Sequence, residues 1–236
     1  EFDKPGLPDA AKWAYEKGFV RNKEAQYYTE ARAENARVEN GTLVIEGRKE
    51  AYSGPDGKKA RYTAASLTTE GRFETTYGRV EVRAKLPSGR GMWPALWMLG
   101  TNIRSVGWPK CGEIDIMEAV GHEPGKVFAN VHWFSGEKGR HVFSGGKLGG
   151  QKTSEGFHVY AVEWFADRMD FYYDETKHFT CPLDKAGSGE NNPFHKPHYL
   201  LMNLAIGGSW GGKKGIDDSV FPQRYVIDYV RIYRKG

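Results

Sequence analysis

The chain has 236 residues with 34 basic against 30 acidic side chains, a formal net charge of +4. That length suits one large core, so a single domain over 1–236 is expected, and the interspersed charges give no case for a nucleic-acid partner. The best apolar run, Met92 to Leu99, contains Pro94 and is far too short to cross a membrane.

Along the chain, helical periodicity is confined to Asp9–Lys17 and Pro182–Ala186, each a turn or two at most. Period two dominates elsewhere. Strand signals occur at Gly41–Lys49, Arg61–Thr69, Arg79–Leu86, Lys126–Trp133, Phe157–Phe165, Arg168–Asp174, Tyr199–Ile206 and Tyr225–Tyr233, with Gly, Pro, Asn or Asp clusters between them. In the third of these, Val80, Val82, Ala84 and Leu86 alternate with Arg79, Glu81, Arg83 and Lys85, the pattern of a half-exposed antiparallel strand. Gly136–Gly150 is too rich in glycine for a core strand and reads as a surface hairpin or loop. Many short strands in one domain predict an all-β sandwich or jelly roll. Cys111 and Cys181 allow one disulfide at most, and free thiols are expected. No initiator Met or signal peptide is visible, so a soluble mature or trimmed form is expected.

The chemistry concentrates in Glu113-Ile114-Asp115-Ile116-Met117-Glu118. Alternation would place Glu113 and Asp115 on one face and drive Glu118 into the core. A β-bulge at Ile116–Met117 returns Glu118 to the face of the other two acids. Crowded carboxylates raise one another's pKa, so one can serve as base or nucleophile while another keeps its proton, the division of labour of glycoside hydrolysis. A metal-ligand cluster and a solvated acidic edge are the alternatives; Ile114, Ile116 and Met117 weigh against the edge.

Indoles gather near these acids in the sequence. Trp93 and Trp97 precede them, Trp108 stands close and Trp133 follows. Pyranose rings stack on flat indoles while their hydroxyls take polar partners, although core packing is the alternative for each Trp, and Trp13 and Trp164 read as core. His132 is expected to orient or share a proton with Glu118. Asn22, Arg61 and Asn203 are candidates for hydroxyl recognition. On the last strand, Asp228 shares a face with Val226, Val230 and Ile232 and needs a partner, either backbone amides or an arginine.

The segments Asn22–Thr29, Tyr77–Glu81, Gly91–Leu99 and Gly112–Glu118, with Phe221-Pro222-Gln223 leading into Asp228–Arg231, resemble the bulged laminarinase-like branch of glycoside hydrolase family 16. The resemblance implies a β-jelly roll of two curved antiparallel sheets with an open concave cleft. It implies retaining endo-hydrolysis of β-1,3-glucan such as laminarin, extending to mixed-linkage β-1,3-1,4-glucan. Glu113 matches the nucleophile, Asp115 the assisting acid and Glu118 the general acid/base. It further implies a polysaccharide substrate, a monomer that is secreted or extracytoplasmic, no cofactor for catalysis, and a structural calcium ion at Glu1, Gly41 and Asp228. A galactan hydrolase of the agarase or carrageenase kind shares the bulged motif, and a non-catalytic glucan-binding module shares the fold. Such modules typically lack one or more of the three acids present here.

Overall fold

The computed structural model describes residues 1–234, and its extended regular elements are all strands, with only short helical turns between them. In chain order these are β1 (Ala14–Tyr15), β2 (Gln26–Tyr28), β3 (Ala36–Glu39), β4 (Thr42–Ser53), β5 (Lys59–Ala64), β6 (Ser66–Thr68), β7 (Gly78–Lys85) and β8 (Met92–Gly100). They continue as β9 (Glu113–Glu118), β10 (Val127–Ser135), β11 (Arg140–Leu148), β12 (His158–Trp164), β13 (Arg168–Tyr173), β14 (Thr176–Pro182), β15 (His198–Ile206) and β16 (Gln223–Tyr233). Two sheets result. One has the order β1-β6-β15-β8-β9-β10-β11; the other runs β14-β13-β12-β7-β16-β4-β5-β2, with β3 beside β4. Pairing is antiparallel apart from β2 with β5, which is parallel.

Alternation explains which faces meet. In β7, Val80, Val82 and Ala84 are fully buried while the charged residues between them are partly exposed. In β10, Val127, Ala129, Val131 and Trp133 turn inward and Phe128, Asn130 and His132 outward. The inward sets of both sheets form one core that includes Trp13, Tyr160, Trp164, Phe171, Phe194 and Tyr225. Burying each large apolar side chain contributes about 1.5–3 kcal/mol. Strands β8 and β15 are buried at every position: one face meets this core and the other carries its own cover.

Two sequence expectations change and one holds. Ala14–Tyr15, inside the expected helical turn, pairs with β6 as a strand. The helical turn expected within Pro182–Ala186 is present as a short 3₁₀ turn at Asp184–Ala186. The run expected as one strand at Arg61–Thr69 splits at Ala65, sending β5 to one sheet and β6 to the other, because the small, fully buried Ala64 and Ala65 let the chain cross between layers. The glycine-rich segment is the β10–β11 hairpin, and Cys111 and Cys181 are buried free thiols.

Candidate active site

The expected bulge is present. On one side of β9, Leu96 pairs with Met117 and Trp97 with Asp115, skipping Ile116; on the other side Phe128 pairs with Glu118 and Asn130 with Asp115. Two residues, Ile116 and Met117, therefore stand against Ala129 alone. Ile114, Ile116 and Met117 all join the core, while Glu113, Asp115 and Glu118 all line a cleft of about 460 Å³ on the outer face of the seven-stranded sheet. The same cleft takes in Trp93, Trp97, Trp108, Asn22 and Asn203.

Each acid is held differently. Trp108 Nε1–H donates to Glu113 Oε2 at 2.6 Å. Glu118 accepts from Trp93 Nε1–H at Oε1 and from Asn130 Nδ2–H at Oε2, both at 3.0 Å. Asp115 is 2% exposed, and its Oδ2 lies 3.1 Å from His132 Nε2. His132 thus serves Asp115 rather than Glu118, because the register sets it opposite Glu113 and leaves Asn130 to reach Glu118.

Burial is the first cause of the pKa shifts at all three acids. It pushes Glu113 up to about 8, with the charge of Asp115 adding to the rise and His132 and the Trp108 bond opposing it. Burial pushes Glu118 up to about 7, against the Trp93 bond, the pull of His132 and the Asn130 bond. Asp115 is raised well above the carboxylate range by burial and by Glu118. Crowding, expected to be the main cause, comes second to desolvation. All three acids are raised and lie close together, so the loss of a proton from one is felt by the others and they titrate as a group.

The indoles play unequal parts. Trp108 is 49% exposed and offers an open face beside Glu113. Trp93 meets Trp210 edge-on at 5.6 Å. Trp97 is 6% exposed: its Nε1–H donates to Asn203 Oδ1 at 2.7 Å, and the Arg21 guanidinium covers its ring at 4.8 Å. Asn203 spends its amide on Tyr28 OH, at 3.0 Å, so it anchors Trp97. Asn22 sits at the cleft with φ of 55° and donates to Glu24 Oε1 at 3.3 Å.

Two expected cleft residues lie elsewhere. Trp133 follows His132 on the same strand and so points into the core, where its Nε1–H donates to Lys185 O. Arg61 is on β5 in the other sheet, exposed and paired with Asp218. The two carboxylates among the expected calcium donors pair with arginines. Asp228 bonds to Arg83, Glu1 to Arg231 at 2.6 Å, and Gly41 is an exposed turn residue at φ 75°. Conversely, Asn130 and the N-terminal residues Glu16, Arg21 and Glu24 escaped the sequence reading. Asn130 was recoverable, sharing the outward parity of His132; the others sit on irregular chain that carries no such signal.

Three carboxylates along one wall of an indole-lined cleft, on a β-sandwich, define an enzyme that cuts glycosidic bonds. The family model described as glycosyl hydrolases family 16 matches residues 23–231, and the chain belongs to that family. It is 45% identical over 242 residues to a beta-glucanase of Rhodothermus marinus, covering 99% of this chain and 83% of that protein. The solved laminarinase from Rhodothermus marinus superposes with a TM-score of 0.89 at 45% identity, covering 99% and 94% of the two chains. SCLam, a non-specific endo-beta-1,3(4)-glucanase of the same family, gives 0.90 at 42% identity, covering 100% and 89%.

Proposed function

We propose that the protein is a retaining endo-β-1,3-glucanase of laminarin type that also accepts mixed-linkage β-1,3-1,4-glucan. The observation that carries the reading is the bulge, which brings Glu118 to the cleft and seats it between two N–H donors. In the first step a Glu113 oxygen attacks the anomeric carbon, the bond to the leaving oxygen breaks, and Glu118 delivers its proton to that oxygen. Glu118, now ionised, takes a proton from water; the water oxygen attacks the anomeric carbon and frees the Glu113 carboxylate. Asp115, facing both steps, tunes the charge of its neighbours. The kinship with a beta-glucanase and with SCLam supports the two linkages. A non-catalytic module has no need of three crowded acids, one of them buried, which cost stability.

Polymeric substrate does not diffuse through membranes, and on that ground we place the action outside the cytoplasm. Product profiles from laminarin, barley β-glucan, agarose and carboxymethyl cellulose test the reading. Laminarin should be cut best, mixed-linkage glucan measurably and carboxymethyl cellulose not at all. Preferred cleavage of agarose would replace the glucan assignment by the galactan one.

A further inference from the structure

The two most exposed large apolar side chains among the described residues, Phe143 at 63% and Trp108 at 49%, meet over the same pair of histidines. His141 packs against Trp108 at 4.6 Å and lies 6.4 Å from Phe143. His132 completes the row, 5.2 Å from His141 and 5.5 Å from Phe143. The two imidazoles and the phenyl ring lie within 24° of parallel. They form one aligned surface that begins at Trp108, the donor to Glu113, and ends on Phe143.

The topology says why the row lies there. Strand β11 ends the seven-stranded sheet, and His141, Phe143 and Gly145 share its outward face, with Phe143 opposite His132 and Gly145 opposite Asn130. A phenyl ring shown to water on an edge strand is a liability for folding alone. Gly145 leaves the path from Phe143 to Asn130, and so to Glu118, without a side chain on β11. The enclosed part of the cleft lies the other way: Trp97 on β8, Asn203 on β15 and Arg21 over the Trp97 ring wall the space on the far side of β9. An enzyme that cuts within a chain holds sugars on both sides of its acids. Sugars on the second side cross β10 and β11, where the exposed rings are Trp108 and Phe143.

We propose, on the hydrolase reading above, that Phe143 is the floor of an outer sugar subsite, filled by a glucosyl ring of the same β-glucan chain that the acids cut. The apolar C–H face of a pyranose stacks on an aromatic ring while its hydroxyls stay in water, which suits an open strand with a single uncovered phenyl. Phe143 lies away from the reacting carbon and takes no part in the bond-breaking. It selects chain length, and it sets the register in which the chain lies across the acids, because only a chain long enough to reach β11 collects this contact.

End-labelled laminarihexaose reads the register directly. Phe143→Ala should redistribute the cuts so that fewer sugars lie on the β11 side, and Arg21→Ala, which strips the opposite wall, should move them the other way. In Phe143→Ala, kcat/KM for the hexaose should fall about fivefold, the worth of one stacked ring, and Phe143→Trp should restore it. Calorimetry with the inactive Glu118→Gln protein should show the hexaose binding about fivefold more weakly once Phe143→Ala is added. That readout is independent of turnover: a wild type that cuts no glucan, with binding that still depends on Phe143, defeats the hydrolase reading and supports the subsite. Unchanged cuts and affinity in a folded Phe143→Ala, or a shift of the cuts in the same direction as in Arg21→Ala, overturns the proposal.

Discussion

At the scale of single residues, roles and protons are separable by substitution. Glu118→Ala and Glu113→Ala should each lose about a hundredfold or more in turnover, but azide should rescue only the first on an activated aryl glycoside, giving a β-configured azide product. A β-azide from Glu113→Ala would reverse the assignment. The raised pKa values also predict a cost in stability. A carboxyl whose folded pKa lies above its unfolded value contributes fully below about pH 4.5, and that contribution is lost as pH rises through about 7 for Glu118. Glu118→Gln should therefore melt about 3 °C or more above wild type at pH 8 and show no such gain at pH 4. Equal melting curves at pH 8 would show that the folded cleft does not penalise the Glu118 charge. Asp115→Asn removes a negative neighbour of Glu113, so the acid limb of activity should shift to lower pH; the limb's staying in place would deny coupling.

At the scale of elements, the β10–β11 hairpin has a close internal demand. Gly145 faces Asn130 across the register, and a Cβ there would stand 2.1 Å from Asn130 Oδ1. Gly145→Ala should displace the amide from Glu118; since that bond lowers the Glu118 pKa, the alkaline limb should move up. On the opposite sheet, the Arg83–Asp228 pair is partly solvated and contributes about 1 kcal/mol or less. If calcium sits at Glu1, Gly41 and Asp228, it should raise the melting temperature and a chelator should lower it, with Asp228→Ala abolishing the response; indifference to both additions rules the ion out. These elements also mark what sequence can reveal. The bulge was legible because three acids of mixed parity among isoleucines have few other solutions. Adjacent His132 and Trp133 could not both face a cleft, yet both were expected there; strand parity decides for His132, whose partner Asp115 needs it. Arg61 was placed wrongly because the crossing between layers at Ala65 leaves no break in period two. The Glu16–Arg21–Glu24 wall was illegible because its chain is held by tertiary contacts alone.

At the scale of the molecule, the two layers divide labour: the nine-stranded order backs the core and the seven-stranded one presents the chemistry. Trp164→Ala, fully inside, should cost about 3–5 kcal/mol of stability. Trp97→Ala should mainly weaken laminarin hydrolysis by freeing Arg21 and Asn203. Strands β8 and β15 lie under that cleft with all nine residues of each buried. Their substrate-facing side chains have already surrendered their rotameric freedom during folding, so a glucan finds a rigid mould and loses little entropy in shaping it. Calorimetry of the inactive Glu118→Gln protein with laminari-oligosaccharides should then yield a negative heat-capacity change set by the rings that leave water, without the large unfavourable entropy of an ordering loop.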